Sequence, residues 1–200
     1  MAAPLPLPKT PVTLASLVFD VVIIGAGAAG LFCAGQAGQR GLTVLLIDHA
    51  DQVAEKIRIS GGGRCNFTNR DLDPAAPHKH FVGQNPQFCR SALSRYTPAD
   101  FIALVQKHGI AFHEKHKGQL FADRSAEDII AMLLAECAAG GVTRWQPCGV
   151  KKIAFLASSA SESSGGSYQI DTNPGPVHAR SVVVATGGLS IPQLGATDLA

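Results

Sequence analysis

The first ordered pattern in the chain is a short apolar run, Phe19-Asp20-Val21-Val22-Ile23-Ile24, that ends at a glycine. A run of this length bounded by a turn residue reads as a parallel strand buried on both faces. Small and apolar residues then recur at helical spacing from Ala28 to Arg40, through Leu31, Ala34, Ala37 and Gly38, and stop at Gly41. A second buried strand, Thr43-Val44-Leu45-Leu46-Ile47, ends at Asp48. Strand, helix and strand within about 30 residues predict a βαβ unit.

Further along the pattern weakens. The residues from Asp71 to Pro86 are rich in Pro, His and Asn and read as a long surface connection. Gln87 to Tyr96 and Pro98 to His108 predict two helices, the second with proline in its first turn. Ser125 to Ala139 predicts a stronger helix, capped by Ser125 and ended by Gly140-Gly141. Ser125-x-x-Asp128 approximates a capping box. Val150 to Leu156 and Tyr168 to Thr172 predict strands, joined by a Ser-, Ala- and Gly-rich hairpin tip at 157–166. Val177 to Arg180 predicts a third short strand. Ser181-Val182-Val183-Val184-Ala185 then returns to buried-strand character and runs into Thr186-Gly187-Gly188. The fold class expected is α/β, a parallel sheet with a small antiparallel β-meander.

The turn after the first strand carries chemistry. Gly25-Ala26-Gly27-Ala28-Ala29-Gly30 is a complete dinucleotide-binding fingerprint in its proper place between strand and helix. Gly25 permits the tight turn, Gly27 lets backbone approach a pyrophosphate, and Gly30 allows close packing of helix on sheet. The anion then meets unpaired N–H groups and the positive end of a helix dipole. Asp48 falls 18 residues after Gly30, where a carboxylate can accept hydrogen bonds from ribose hydroxyls. A free carboxylate there disfavours a 2′-phosphate, and so argues against NADP at this position.

A second glycine run, Ser60-Gly61-Gly62-Gly63, allows an extended or left-handed backbone that a side chain would block. Several N–H groups could face an anion or a flavin edge as a nest. Arg64 and Asn66 add donors suited to phosphate or carbonyl-like acceptors. Two cofactor-contacting loops point to a long cofactor such as FAD.

Composition narrows the class. Hydrophobic residues make up 46% of the 200 and charged residues 16%, which favours a globular chain over disorder. The formal net charge of +2 is too small to argue for nucleic acid or an anionic membrane. His113-Glu114-Lys115-His116-Lys117 reads as a solvated turn. Five widely spaced cysteines contain no CxxC pair, so neither a zinc site nor a dithiol is expected, and a reducing cytoplasm fits the odd count. Cys65 reads as a structural cysteine, Cys33 and Trp145 as packing residues, and the histidines as unrelated to metal. Residues 1–18 read as a disordered Pro-rich leader, without signal-peptide character, and no stretch is long enough to cross a bilayer.

The run Lys56-Ile57-Arg58-Ile59-Ser60-Gly61-Gly62-Gly63-Arg64-Cys65-Asn66-Phe67-Thr68-Asn69 resembles the signature of a bacterial flavoprotein family, the NAD(P)/FAD-dependent oxidoreductases or aminoacetone oxidase family FAD-binding enzymes. Gly118-Gln119-Leu120-Phe121-Ala122, Val150-Lys151-Lys152-Ile153 and the stretch from Ala185 to Thr197 are similar to further family segments in the same order, with Ala122 where the family has proline. The resemblance implies a Rossmann-like, glutathione-reductase-type FAD-binding domain over residues 19–200, forming the N-terminal portion of a longer protein. It implies that Gly25, Gly27 and Gly30 hold the pyrophosphate and Asp48 the adenosine ribose, with Ala28, Ala29 and His49 also among the cofactor-binding residues. Lys56, Ser60, Gly61, Gly62, Gly63, Arg64 and Asn66 would line the pyrophosphate-to-flavin stretch. Val150 would meet adenine through its backbone, and Ala185, Thr186, Gly187 and Gly188 would return a strand end to the cofactor.

The expected function is that of a cytoplasmic FAD-dependent oxidoreductase, with NAD(P)H as a candidate electron donor and a small molecule as substrate. No metal, nucleic-acid or membrane partner is expected, and no catalytic acid or base is assigned. The alternatives are a non-catalytic dinucleotide-binding or sensor module, an inactive truncated flavoprotein remnant, or a flavin- or NAD-dependent RNA-modifying protein, the last disfavoured by the weak charge balance and the absence of a basic stripe.

Overall fold

The computed structural model describes residues 17–81, 83–157 and 166–188. The expected leader therefore lies, but for Leu17 and Val18, outside the described residues, as do most of the hairpin tip at 157–166 and the stretch from 189 on. Strands β1 (Val18–Ile24), β2 (Val44–Ile47), β3 (Asn66–Asn69), β4 (Phe112–Glu114), β5 (Gln119–Ala122), β6 (Thr143–Trp145), β7 (Val150–Leu156), β8 (Ser167–Thr172) and β9 (Pro176–Val184) alternate with helices α1 (Ala28–Gln39), α2 (Glu55–Ile59), α3 (Arg90–Arg95), α4 (Pro98–Lys107) and α5 (Ala126–Ala139). The chain divides into two units, one from Met1–Lys56 and Leu133–Ala200 and the other from Ile57–Met132, with the divisions falling inside α2 and α5.

The first unit holds a six-stranded sheet in the order β6-β2-β1-β9-β8-β7. Its centre is parallel: Val22 pairs with Leu45 and with Val182, Ile23 with Leu46 and Val183. Successive side chains of a strand point to opposite faces, so an unbroken Val/Ile/Leu run needs cover on both. On one side Val22, Leu45, Ile47, Trp145, Ile170, Val177 and Ala179 build a continuous core. The unit's helix α1 packs on the sheet with buried Leu31 and Ala34.

Small residues let α1 approach the end of α5. A Cβ on Gly35 would stand 3.2 Å from the Glu136 carbonyl carbon, and one on Gly38 would stand 2.4 Å from the Gly140 oxygen. Gln39 Nε2 donates to the Glu136 carbonyl at 3.0 Å and to its carboxylate at 2.8 Å. Cys137 Sγ donates to the Leu31 carbonyl at 3.2 Å.

Strand β9 departs from expectation. Val177–Arg180 and Ser181–Val184 are one continuous strand, antiparallel to β8 and parallel to β1. The meander β7-β8-β9 is therefore an extension of the parallel sheet. Strand β1 also begins one residue early, at Val18, which pairs with His178.

The second unit holds an antiparallel sheet in the order β3-β5-β4. Phe67 contacts Phe112 edge-on and lies 6.0 Å from the ring of Phe101 on α4. The helix expected from Gln87 is shorter, beginning at Arg90 after a turn, and is ended by Tyr96 in extended conformation. Helix α4 has the full capping box: Thr97 accepts from the Asp100 N–H while the Asp100 carboxylate accepts from the Thr97 N–H. At α5, Ser125 Oγ accepts from the Glu127 N–H, as a cap should, but Asp128 pairs with Arg124 instead of closing a box.

Candidate dinucleotide-binding site

In the first unit β1 and β9 end side by side, because the Ala185 N–H donates to the Ile24 carbonyl at 2.8 Å and so extends the ladder by one bond. The chain turns at Gly25, whose φ of +102° is a left-handed conformation that L side chains rarely adopt. A Cβ there would stand 2.5 Å from the Ala185 carbonyl oxygen. A Cβ on Gly30 would stand 1.8 Å from the Gly25 carbonyl oxygen. These two glycines let strand, turn and helix close on one another.

Gly27 differs. Its φ of −80° suits any residue, and a Cβ on it would meet nothing within 4 Å. It is the N-cap of α1 and brings no side chain to the helix end, and no acid occupies the first turn. The first N–H groups of a helix have no intrahelical partner, so those of Ala28 and Ala29, both exposed residues, are left for an anion. The open space at Gly27 is the approach such an anion needs.

Asp48 closes the same turn from β2. Its Oδ2 accepts from the Ala26 N–H at 2.5 Å and its Oδ1 from the Ala50 N–H at 2.8 Å. The sequence suggests ribose binding here; the geometry adds a structural task, since the carboxylate pins the glycine turn to the end of β2. A carboxylate has about four acceptor sites, so two of them remain. His49 is mostly exposed, with Nδ1 3.8 Å from Asp48 Oδ1.

The segment after β6 brackets Asp48. The Asp48 N–H donates to the Trp145 carbonyl at 3.1 Å, the Cys148 N–H donates to the Asp48 carbonyl at 2.7 Å, and Gln146 Nε2 donates to the Ala50 carbonyl at 3.0 Å. Val150 opens β7 two residues beyond Cys148 and packs on the core. Gln146 and Cys148 have no motif spacing that would single them out; the Gln-Pro step at 146–147 signals only a turn.

Lys56 reaches the loop that follows β9. Its Nζ donates to the Gly188 carbonyl at 2.6 Å. Thr186, Gly187 and Gly188 are exposed, and Gly187 has φ +76°. The first unit thus brings together Gly25, Gly27, Gly30, Asp48, Lys56 and the Ala185–Gly188 loop.

The run from Ser60 to Asn66 belongs to the second unit. Gly61, Gly62, Gly63 and Cys65 all have positive φ, at +61°, +68°, +82° and +49°. The Ser60 carbonyl accepts from the N–H groups of both Gly63 and Cys65, and Ser60 Oγ donates to the Ile57 carbonyl at 2.8 Å. A Cβ on Gly61 would stand 2.7 Å from the Phe121 ring, whereas Gly62 faces open space. Arg64 is exposed. The Asn66 amide faces the Thr68 and Leu120 carbonyls, and with its nitrogen turned toward them it donates to both, at 3.2 and 3.3 Å.

Cys65 is buried, and burial raises its thiol above the ordinary range against a smaller lowering by Ser60. That keeps it protonated and fits a structural cysteine. The cysteines form no disulfide, and among the described residues no group of three His, Cys, Asp or Glu could hold a metal. No helix of the described residues is long and apolar enough to cross a membrane.

A parallel βαβ unit with a glycine turn, an open helix N-terminus and a carboxylate at the end of β2 defines a Rossmann-type FAD-binding fold. Residues 19–200 match the HI0933-like protein Rossmann domain, and the chain belongs to that family. The chain is 50% identical over 179 residues to the ribosomal RNA dihydrouridine synthase of Escherichia coli (strain K12), which covers 90% of this chain and 42% of that protein. It is 44% identical over 176 residues to the protein of the same name from Haemophilus influenzae (strain ATCC 51907 / DSM 11121 / KW20 / Rd), covering 88% and 42%. The chain therefore spans less than half the length of these relatives, and they do not carry the aminoacetone oxidase label of the resemblance. In fold it is similar to the crystal structure of 3-ketosteroid-Δ4-(5α)-dehydrogenase from Rhodococcus jostii RHA1, with a TM-score of 0.61 at 15% identity over 90% of this chain and 48% of that one.

Proposed function

We propose that the chain is the FAD-binding part of a flavoenzyme that reduces uridine in ribosomal RNA to dihydrouridine, with NAD(P)H as the electron donor. The observation that carries the cofactor assignment is the open approach at Gly27 onto a helix N-terminus that no side chain caps. Gly25, Gly27, Ala28, Ala29 and Gly30 would hold the pyrophosphate through backbone N–H groups, and the spare lone pairs of Asp48 would take the ribose. Val150 would contact adenine through its backbone. Lys56 would hold the Ala185–Gly188 loop in place and lend a positive charge beside the phosphates. The Ser60–Asn66 run keeps the role that the resemblance implies, a further contact to FAD.

When bound, FAD would supply a two-electron carrier of hydride. Dihydrouridine differs from uridine by two hydrogens across one ring C–C double bond, so the reaction takes one hydride and one proton. The substrate assignment rests on the name of two relatives at 50% and 44% identity. The net charge of +2 argues the other way, but it averages over a chain whose charges are unevenly spread.

Two measurements test the two levels. The purified full-length protein should be yellow and release FAD on denaturation; a colourless protein that FAD does not reconstitute would remove the cofactor. Deleting the gene should abolish one dihydrouridine in ribosomal RNA, and complementation should restore it. Unchanged RNA with a flavin-loaded protein would leave an oxidoreductase of another substrate.

A further inference from the structure

Between Asp73 and Asp100 the chain has no acidic residue. The same stretch carries Lys79, Arg90 and Arg95 with His78 and His80. All five are exposed in the second unit. Two large aromatic residues stand out among them: Phe88 is 85% exposed and Phe81 39%. A ring as exposed as that of Phe88 gains little from burial in the described fold, and Arg90 follows it two residues on.

The stretch has fixed local structure. Pro77 is buried at the start of a 3-10 turn, and the Phe81 N–H donates to the Pro77 carbonyl at 2.9 Å. The Phe88 N–H donates to the Asn85 carbonyl at 3.1 Å, and the Arg90 N–H to the Gln87 carbonyl at 3.0 Å. The Gln87 amide lies 3.3 Å from His78 Nδ1, tying the His78–Phe81 turn to the turn that carries Phe88. Exposed rings and cations are thus displayed on two linked turns and on helix α3, which follows the second.

We infer that the turn of residues 77–81, the linked turn of residues 83–89 and helix α3 after it bind single-stranded RNA, with Phe88 stacking on a base and Arg90 and Arg95 of α3 meeting phosphates. This rests on the reading that the enzyme acts on ribosomal RNA. Single-stranded RNA is recognised by stacking of splayed bases on aromatic side chains and by cations along the backbone, and both are present here without an intervening carboxylate. The run His113–Lys117, at the end of β4 and the start of its turn, is less suited, because Glu114 precedes its lysines and the Asp71 carboxylate lies beside Gly118.

The test compares full-length wild type with Phe88→Ala, with Arg90→Gln/Arg95→Gln and with Lys151→Gln/Lys152→Gln, a control on β7 of the first unit. Binding to unmodified ribosomal RNA transcribed in vitro is followed by fluorescence anisotropy across a salt series, with flavin absorbance per protein recorded for each variant. Phe88→Ala should weaken binding about tenfold without changing the salt slope, because stacking releases no counterions. Arg90→Gln/Arg95→Gln should flatten the slope by about 1.4, near 0.7 for each single-strand phosphate that is no longer neutralised. The control should change neither affinity nor slope, and flavin content should hold throughout.

If wild type binds the RNA and the Phe88 and arginine variants bind it equally well, this surface is not where RNA docks, while the reading of the enzyme stands. If Phe88→Ala loses flavin together with RNA affinity, the ring packs within the protein and the inference is overturned. If wild type binds no ribosomal RNA, the functional reading fails and this inference fails with it.

Discussion

Gly30 lies so close to the carbonyl of Gly25 that a Cβ on it would stand 1.8 Å from the oxygen, while Gly27 between them faces open space. Glycines of one motif therefore do different work. Gly25 and Gly30 make the turn sterically possible, and Gly27 leaves it accessible.

Substitution should separate the two tasks. Gly30→Ala forces the helix off the turn and should destabilise the fold by about 1 to 3 kcal/mol or more, the usual range for overpacking. Gly27→Ala meets no neighbour and should cost less than about 1 kcal/mol, mostly through the poorer N-cap. The same Gly27→Ala should lower FAD affinity at least about tenfold, because its methyl occupies the approach. Urea melts and FAD titration of the two variants check this. Equal stability losses would show that open space at Gly27 has no separate role.

Asp48 holds two backbone N–H groups through its carboxylate, those of Ala26 and Ala50. Removing a hydrogen-bonded charged acceptor leaves both donors to be satisfied otherwise, at a cost of about 1.5 to 3 kcal/mol. Asp48→Ala should therefore lower stability as well as FAD affinity. Asp48→Asn keeps one acceptor oxygen and the shape, and should lose less of both. If Asp48→Ala weakens FAD binding at unchanged stability, the carboxylate serves ribose alone and its grip on the glycine turn is unimportant.

Much of the first unit was legible because its signals are local. The apolar runs of β1 and β2, the glycine turn and Asp48 lie within one short stretch, where periodicity and steric need coincide. The continuity of β9 was not legible, because β8 flanks it only from Pro176 to Ala179 while β1 flanks it from His178 to Val184, and the loss of one neighbour alters the burial pattern partway along. The three-stranded sheet was missed as well: β3, β4 and β5 are 4, 3 and 4 residues long, too short for alternation to emerge. Gly118–Ala122 stood out only through resemblance. Gln146 and Cys148 reach Asp48 through tertiary contacts, which no spacing reports. The acid-free stretch at 74–99 was hidden by a net charge summed over the whole chain.

Lys56 and the Gly188 carbonyl form an exposed bond, so its loss should barely affect stability. Lys56→Met keeps the length of the side chain and removes the donor and the charge. Thermal unfolding should stay within about 0.5 kcal/mol of wild type, as surface changes usually do. The dissociation constant for FAD should rise roughly fivefold, in keeping with the loss of about one modest hydrogen bond. An unchanged dissociation constant would reduce Lys56 to a surface residue with a chance contact.

Cys137 provides a test of the packing between α1 and α5. Burial raises its thiol from an ordinary 9.0 to about 11, while its Sγ–H donates to the Leu31 carbonyl. The folded chain therefore keeps this proton when the unfolded chain has begun to lose it. Below pH 9 both states are protonated and the contribution is complete. As pH rises from about 9 to about 11 the unfolded state gains by ionising and the folded state does not, so stability falls. Cys33, Cys65 and Cys148 are also raised by burial and contribute to the same decline, so wild type alone cannot isolate one thiol. Cys137→Ala removes this group and leaves the others. Urea unfolding at pH 8 and pH 10.5 should show a larger loss for wild type than for Cys137→Ala. Equal losses would mean that the Cys137 thiol titrates in the folded chain as it does in the unfolded one, and that α1 does not seal it from solvent.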